Sequence, residues 1–296
     1  MYKLLLKNIL FMVFALPLAG CISTANVVQP SLSTSNNTSI AEDMLLIEAG
    51  SFLMGADDKD IQITKALHAK QGMPFPYDCE DERPKRDVYL DAFLIDRHEL
   101  TVAQYAECIR SGACAPPKAK INDKRCNWLS GRSGKHPVNC VEWQQAHNYC
   151  VWAGKRLPTE AEWEKAARSS DGRLYPWGDN PPTCELAVWG DAERADGCGQ
   201  DGTWPVCSRP QGMSRGALCD MAGNVWEWVS DWYADDYYKK ATGRNPSGPL
   251  KGKHKIGKGG SWHTSEPGGL RCSGRYSLDP KVQENFVGFR CAKDVK

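Results

Sequence analysis

Gly154-Lys155-Arg156-Leu157-Pro158-Thr159-Glu160-Ala161-Glu162-Trp163-Glu164 is the stretch from which the fold is read. Thr159 stands at a helix N-cap and Glu162 three residues later completes a capping box, in which hydroxyl and carboxylate each satisfy an orphan backbone N–H. Trp163, Ala166 and Ala167 follow at helical spacing. Just upstream, Trp143, Ala146, His147 and Cys150 form one stripe of a helix expected over 141–153, which stops at Gly154. Thr101 caps another, Val102 to Arg110, which ends at Ser111-Gly112. Further out, Val88, Leu90, Ala92 and Leu94 alternate with more polar neighbours, the pattern of one strand over 88–95 with a buried face. Met44 to Ile47 and Phe52 to Met54 flank Ala49-Gly50-Ser51 and read as a short hairpin, followed by a polar, Pro-rich loop from Asp57 to Arg86. After Gly172 the chain is rich in turns, with short strands expected near 255–262 and 287–292. No period of about 20–50 residues repeats, so solenoids and propellers are excluded. The sum is a single α+β domain over 43–296.

Composition narrows the class. The 296 residues carry 37 basic and 36 acidic side chains, a net charge of +1, which leaves no bulk field to hold nucleic acid. Hydrophobic residues at 41% and charged residues at 25% exclude both disorder throughout and a multi-span membrane protein. Eleven tryptophans, 27 glycines and 18 prolines point to irregular segments held by large aromatic anchors.

Lys3 and Lys7 precede an apolar run, Ile9 to Leu18, that ends in Leu18-Ala19-Gly20-Cys21. Residues 1–20 read as a signal peptide. Small residues before the cysteine resemble a bacterial lipobox, in which Cys21 becomes the acylated first residue of a lipoprotein. The alternative is an ordinary secretory signal with an incidental cysteine. Ile22 beside the anchor favours the outer membrane in a Gram-negative envelope. Residues 21–42 hold mostly Ser, Thr and Asn after the cysteine and read as a flexible tether.

Twelve further cysteines remain, an even number in an exported chain, and this points to disulfides. A zinc cluster is the rival, but no two cysteines have the close two-residue spacing of structural zinc sites and the six histidines are scattered. Nearness in sequence suggests Cys108 with Cys114, Cys126 with Cys140, Cys184 with Cys198 and Cys207 with Cys219.

Five segments then stand in order: His136-Pro137-Val138-Asn139; the capping stretch above; Tyr175-Pro176-Trp177-Gly178; Gly223-Asn224-Val225-Trp226-Glu227-Trp228; and Gly259-Gly260-Ser261-Trp262 with Gly288-Phe289-Arg290-Cys291. Together they resemble the formylglycine-generating enzyme, or sulfatase-modifying factor, family across Met44 to Asp294. The resemblance implies an irregular, C-type lectin-like α+β fold, low in regular secondary structure, with structural calcium. It also implies an oxidase that converts a cysteine of an unfolded sulfatase to formylglycine, using O2 and copper held by two cysteines. Thiolates suit that role because soft sulfur ligands select Cu(I). Those two family cysteines fall between the Gly-Gly-Ser motif and the next Arg-Cys pair, and here Trp262 to Arg271 contains no cysteine. Copper is therefore not expected.

The same resemblance pairs Cys150 with Cys291. It leaves Cys272 without its family partner, and Cys79, left over once neighbours are paired, is suggested as its mate. It places a calcium site at Asp220, Gly223, Val225 and Glu227, where hard oxygen ligands at close spacing suit that ion; the alternative is that Asp220 and Glu227 only cap turns around Trp226 and Trp228. A second family calcium site, near Ala187, Val188, Cys198 and Gln200, lacks the acidic side chains. Ser261, Trp262, His263 and Thr264 occupy the family's cleft, with Trp226, Arg271 and Arg275 nearby. Ser261 and His263 do not read as a hydrolase pair. The resulting expectation is a lipid-anchored envelope protein that binds a protein, peptide or glycan at the old cleft. Two alternatives stay open: an active oxidoreductase of the same family, either a formylglycine-generating oxidase or one with a diverged activity on another substrate, and a structural envelope component.

Overall fold

Residues 44–54 and 86–96 form one antiparallel ribbon with a break in its middle. In this computed structural model, which describes residues 43–75, 79–117, 123–190 and 196–295, β1 (Met44–Ile47) pairs with β4 (Phe93–Asp96), and β2 (Gly50–Met54) pairs with β3 (Arg86–Leu90). Met44 lies opposite Asp96 and Met54 opposite Arg86, so both halves share one register. The hairpin expected at Ala49-Gly50-Ser51 is therefore not formed. Gly50, at φ 147°, lets the strand kink and continue rather than reverse. The single strand expected over 88–95 is likewise broken at Asp91 and Ala92. Val88 and Leu90 are buried before the break, Phe93 and Ile95 after it, so the inward face changes from even to odd positions.

Between the two arms of the ribbon, α1 (Asp58–Lys70) and a 3-10 turn (Glu80–Glu82) replace much of the expected loop. Asp57 caps α1 reciprocally with Asp60, and Ile61, Thr64, Leu67 and His68 are buried along one side. The helices α2 (Val102–Arg110), α3 (Trp143–Trp152) and α4 (Glu160–Arg168) follow, with Thr101 and Thr159 each closing the capping box that the sequence indicates. The strand β5 (Trp226–Trp232), which the sequence reading missed, leads through α5 (Tyr237–Lys240) to β6 (Lys255–Lys258), β7 (Tyr276–Leu278), β8 (Val287–Gly288) and β9 (Ala292–Asp294). β9 joins β4 in a three-stranded sheet, and the order β7-β6-β5-β8 makes a four-stranded one with β5 and β8 parallel.

α4 lies at the centre. Every one of its residues is buried, and Trp163 packs in a core with Phe52, Val88, Val229 and Ile256. Buried charges are tolerable only when paired, and here they are: Glu164 meets Arg168 at 2.9 Å and Lys258 at 3.3 Å, while Glu162 meets Arg156 at 2.7 Å.

Disulfides join Cys108 to Cys114, Cys126 to Cys140, Cys150 to Cys291, Cys184 to Cys198 and Cys207 to Cys219. Cys79 and Cys272 are both buried free thiols, so the suggested bridge between them is corrected. Arg271 extends its guanidinium to within 3.3 Å of the Cys79 sulfur. Cys272, the next residue, has Arg168 and Glu164 as its charged neighbours instead. The signal peptide, Cys21 and tether lie outside the described residues. Among those residues no helix is long and apolar enough to cross a membrane.

Candidate functional site

Two adjoining cavities, of about 330 and 630 Å³, share Glu82, Arg275 and Tyr276 in their walls. The smaller gathers Trp226, Ser261, His263, Thr264, Arg271 and Arg275, which the sequence reading placed in one cleft. Trp262 does not join them. Its ring turns inward, 1% exposed, and its indole N–H donates to the Asn285 carbonyl at 3.1 Å.

Strand β5 delivers Trp226 to the cavity and β7 delivers Tyr276. Their rings stack at 4.9 Å between centroids. On another wall His263 stacks on Phe286 at 6.0 Å. The link from His263 to Ser261 runs from the backbone N–H of His263 to the serine Oγ, at 3.3 Å, while its ring faces Phe286. That geometry provides no base for a serine nucleophile. Ser261 N–H instead donates to Thr264 Oγ1 at 3.0 Å, which fixes the turn.

Both arginines of the site are already neutralised. Arg271 forks onto Glu82 at 2.6 and 2.7 Å, and burial of the pair is compensated because the carboxylate holds the guanidinium charged. Arg275 donates to Glu160 at 2.7 Å and to the Asp81 carbonyl at 2.8 Å, between the faces of Tyr233 and Tyr238. The sequence reading missed Glu82, Tyr276 and Phe286; Glu82 meets Arg271 across 189 residues, and nothing local marks that contact. Cys79 lines the larger cavity, but burial first and Glu82 second push its thiol up to about 12, against the opposing pull of Arg271. Burial does the same to Cys272, also to about 12. Both are thiols rather than thiolates at neutral pH.

Behind Arg275, Asp231 accepts the Glu160 N–H at 3.0 Å and the Ser230 hydroxyl at 2.9 Å. Burial, with Glu160 adding repulsion, pushes Asp231 up to about 7. Its folded value lies above the unfolded one, so its stabilising contribution is complete below about pH 4 and is lost as pH rises through about 7. The wild type should lose on the order of 4 kcal/mol from this residue across that window, and Asp231→Asn should lack that slope. Urea unfolding of both proteins at pH 4.5 and 7.5 measures it; equal pH slopes would contradict it.

The four residues assigned to calcium are brought close to a buried carboxylate cluster. Asp220, at φ 54°, accepts the Cys207 N–H at 2.6 Å, and Gly223 approaches the Val188 carbonyl so closely that a Cβ would lie 2.3 Å from it. Glu227 on β5 accepts Arg290 at 2.6 and 2.7 Å and the Trp163 indole N–H at 2.9 Å. Glu99, absent from the sequence reading, accepts the Val225 N–H at 3.0 Å and the Asn224 amide at 2.6 Å. Burial first, then Asp220 and Glu227, push Glu99 well above the usual carboxylate range, and burial raises Asp220 too. Arg290 forks onto Glu227 and faces Glu99 and Asp220, and Asp220 is faced by Arg209 and His98 as well. Among the described residues no three His, Cys, Asp or Glu side chains surround a common metal position. Buried, mutually repelling carboxyl groups nevertheless fit a hard cation, which would favour their ionised forms and be taken up partly by backbone carbonyls, as those of Gly223 and Val225 would provide. Among the described residues Glu227 Oε1 accepts a hydrogen bond from Arg290 Nη2 alone, which leaves it a lone pair. The loop near the second family site is closed by Cys184–Cys198.

The sequence model of the sulfatase-modifying factor enzyme 1-like domain matches residues 29–295. Formylglycine-generating enzyme of Mus musculus is 31% identical over 311 residues, with 90% of this chain and 78% of that protein covered. Serine/threonine-protein kinase pkn1 of Chlamydia caviae is 34% identical over 268 residues; the match takes in 86% of this chain but spans only 38% of the kinase's length. Among solved structures, PvdO from Pseudomonas aeruginosa superposes with a TM-score of 0.65 at 25% identity, over 86% of this chain and 97% of that one.

Proposed function

Because this chain belongs to the sulfatase-modifying factor family, with the family's irregular, disulfide-rich α+β fold, we propose that it keeps the family cleft for binding and has lost copper-dependent oxidation. In this reading it is an exported lipoprotein held in the cell envelope through acylated Cys21, and it takes a peptide, glycan or partner protein at the smaller cavity. The observation that carries the reading is the cysteine-free segment from Trp262 to Arg271. The two free thiols do not substitute for the missing pair. Cys79 sits beside Arg271 and Glu82 and Cys272 beside Arg168 and Glu164, the two are not bonded to each other, and burial keeps both protonated. What remains around the cavity are stacked aromatic rings, hydroxyls and guanidiniums already paired with carboxylates, a surface suited to holding a ligand rather than to attacking one.

Calcium belongs to the same proposal. Asp220, Glu227 and the carbonyls of Gly223 and Val225 would hold it, and it would supply positive charge that Arg290 alone does not. Elemental analysis after gentle purification should find calcium without stoichiometric copper or iron; either redox metal at one per chain would favour the enzymatic alternative. At a hundredfold excess over its Kd, calcium should add about 2.7 kcal/mol. For a domain of this size that is a melting shift of several degrees, at about 2–4 °C per kcal/mol. Chelation should remove the shift, and Asp220→Ala should abolish it. A melting temperature indifferent to calcium would contradict the assignment.

A further inference from the structure

Positions 237–265 hold Lys239, Lys240, Arg244, Lys251, Lys253, Lys255 and Lys258, and not one Asp or Glu, in a chain whose net charge is only +1. Some of these charges serve the fold. Lys255 and Lys258 are buried, Lys240 pairs with Asp236, and Arg244 pairs with Asp91. Lys251 and Lys253 are exposed and make no ion pair among the described residues. Between the last helix and β6 the same segment carries Leu250, 101% exposed.

That leucine is presented rather than left loose. Gly248, at φ 78°, rests against Asp231, where a Cβ would come within 2.8 Å of the aspartate's own, and its N–H donates to the Tyr237 hydroxyl at 2.9 Å. Gly252 rests on Trp232, where a Cβ would lie 3.0 Å from the tryptophan Cβ. Two glycine feet thus fix the loop to the end of β5, and Pro249-Leu250-Lys251 forms the arch between them. Exposing a large aliphatic side chain costs solvation free energy with no return inside the molecule. Lysines beside it suit a surface that is apolar within and anionic at its face.

We infer that the 248–254 loop is a membrane-contact element, inserting Leu250 among the acyl chains of an anionic phospholipid surface while Lys251 and Lys253 meet the headgroups. The inference rests on the lipid-anchored reading, which places the domain beside a bilayer. The loop would then restrict how the anchored domain is oriented, and not merely its distance from the membrane. Each lysine near such a surface strengthens contact about fivefold, and high salt weakens that share.

The full chain is reconstituted through its anchor into vesicles containing brominated acyl chains, either of phosphatidylglycerol or of phosphatidylcholine. Leu250→Trp reports insertion, with the wild type supplying the background from its native tryptophans. Extra quenching of the variant in phosphatidylglycerol, reduced in phosphatidylcholine and at 1 M salt, is expected. Lys251→Ala with Lys253→Ala should weaken the contact equilibrium on the order of 25-fold. Quenching of Leu250→Trp no greater than that of the wild type would overturn the inference, as would quenching equal in the two lipids. Flotation separates the two failures: a chain that floats with vesicles without quenching at position 250 overturns the loop alone, and one that does not float overturns the anchored reading and the loop together.

Discussion

Replacing Arg290 by alanine should cost at least about 3–5 kcal/mol, the usual consequence of stranding a buried charge. Its side chain is wholly buried and makes five contacts: two to the Glu227 carboxylate, one to the Cys219 carbonyl at 2.8 Å, and one each to the carbonyls of Asp96 and Arg97 at 3.2 Å. Removing it strips Glu227 of its bidentate partner and takes a facing positive charge from Glu99 and Asp220. It also takes a donor from three carbonyls, of which that of Arg97 keeps the Cys219 N–H at 2.8 Å. At about 2–4 °C per kcal/mol, the melting temperature should fall by roughly 10 °C or more. Arg290→Lys should recover little, because an ammonium cannot form the planar fork onto Glu227 while reaching the carbonyls. Calorimetry on the three proteins decides it, and a loss under about 1 kcal/mol for Arg290→Ala would contradict the picture.

The second large effect is expected at Cys150–Cys291. This bridge ties α3 to the residue before β9 across a sequence separation of 141, whereas Cys108–Cys114 closes a separation of 6. In the chain-entropy account the longer loop contributes about 5 kcal/mol and the shorter about 2 kcal/mol. Replacing both Cys150 and Cys291 with alanine should therefore destabilise the domain about twice as much as the same change at Cys108 and Cys114. Denaturant midpoints of the two double variants measure the difference, and equal losses would show that loop length does not govern these bridges.

Local signals were the legible part of this fold. The capping boxes of α2 and α4 lie within four residues, and Thr101 and Thr159 perform the roles their neighbours indicate. The motifs around Trp226 and Ser261 brought the cleft residues to one cavity, Trp262 excepted. What escaped depends on contacts made far along the chain or on weak periodicity. Gly50 looked like a turn because its permissive backbone suits a reversal as well as a kink, and only the partner strand 86–96 distinguishes the two. The stripe of Ile61, Thr64, Leu67 and His68 in α1 is half polar, so it resembled a loop. Glu82 and Glu99 became visible only once Arg271 and Val225 were placed beside them. Pairing Cys79 with Cys272 by elimination failed because the two thiols sit in different surroundings, Cys79 beside Arg271 and Glu82 and Cys272 beside Arg168 and Glu164.

In the proposed function this member of the family holds a ligand without oxidising it. Incubating the purified protein with a cysteine-containing sulfatase peptide, copper and O2, and weighing the peptide by mass spectrometry, tests it most directly. An unchanged mass is the expected result; a peptide that has gained an aldehyde in place of its thiol would contradict it.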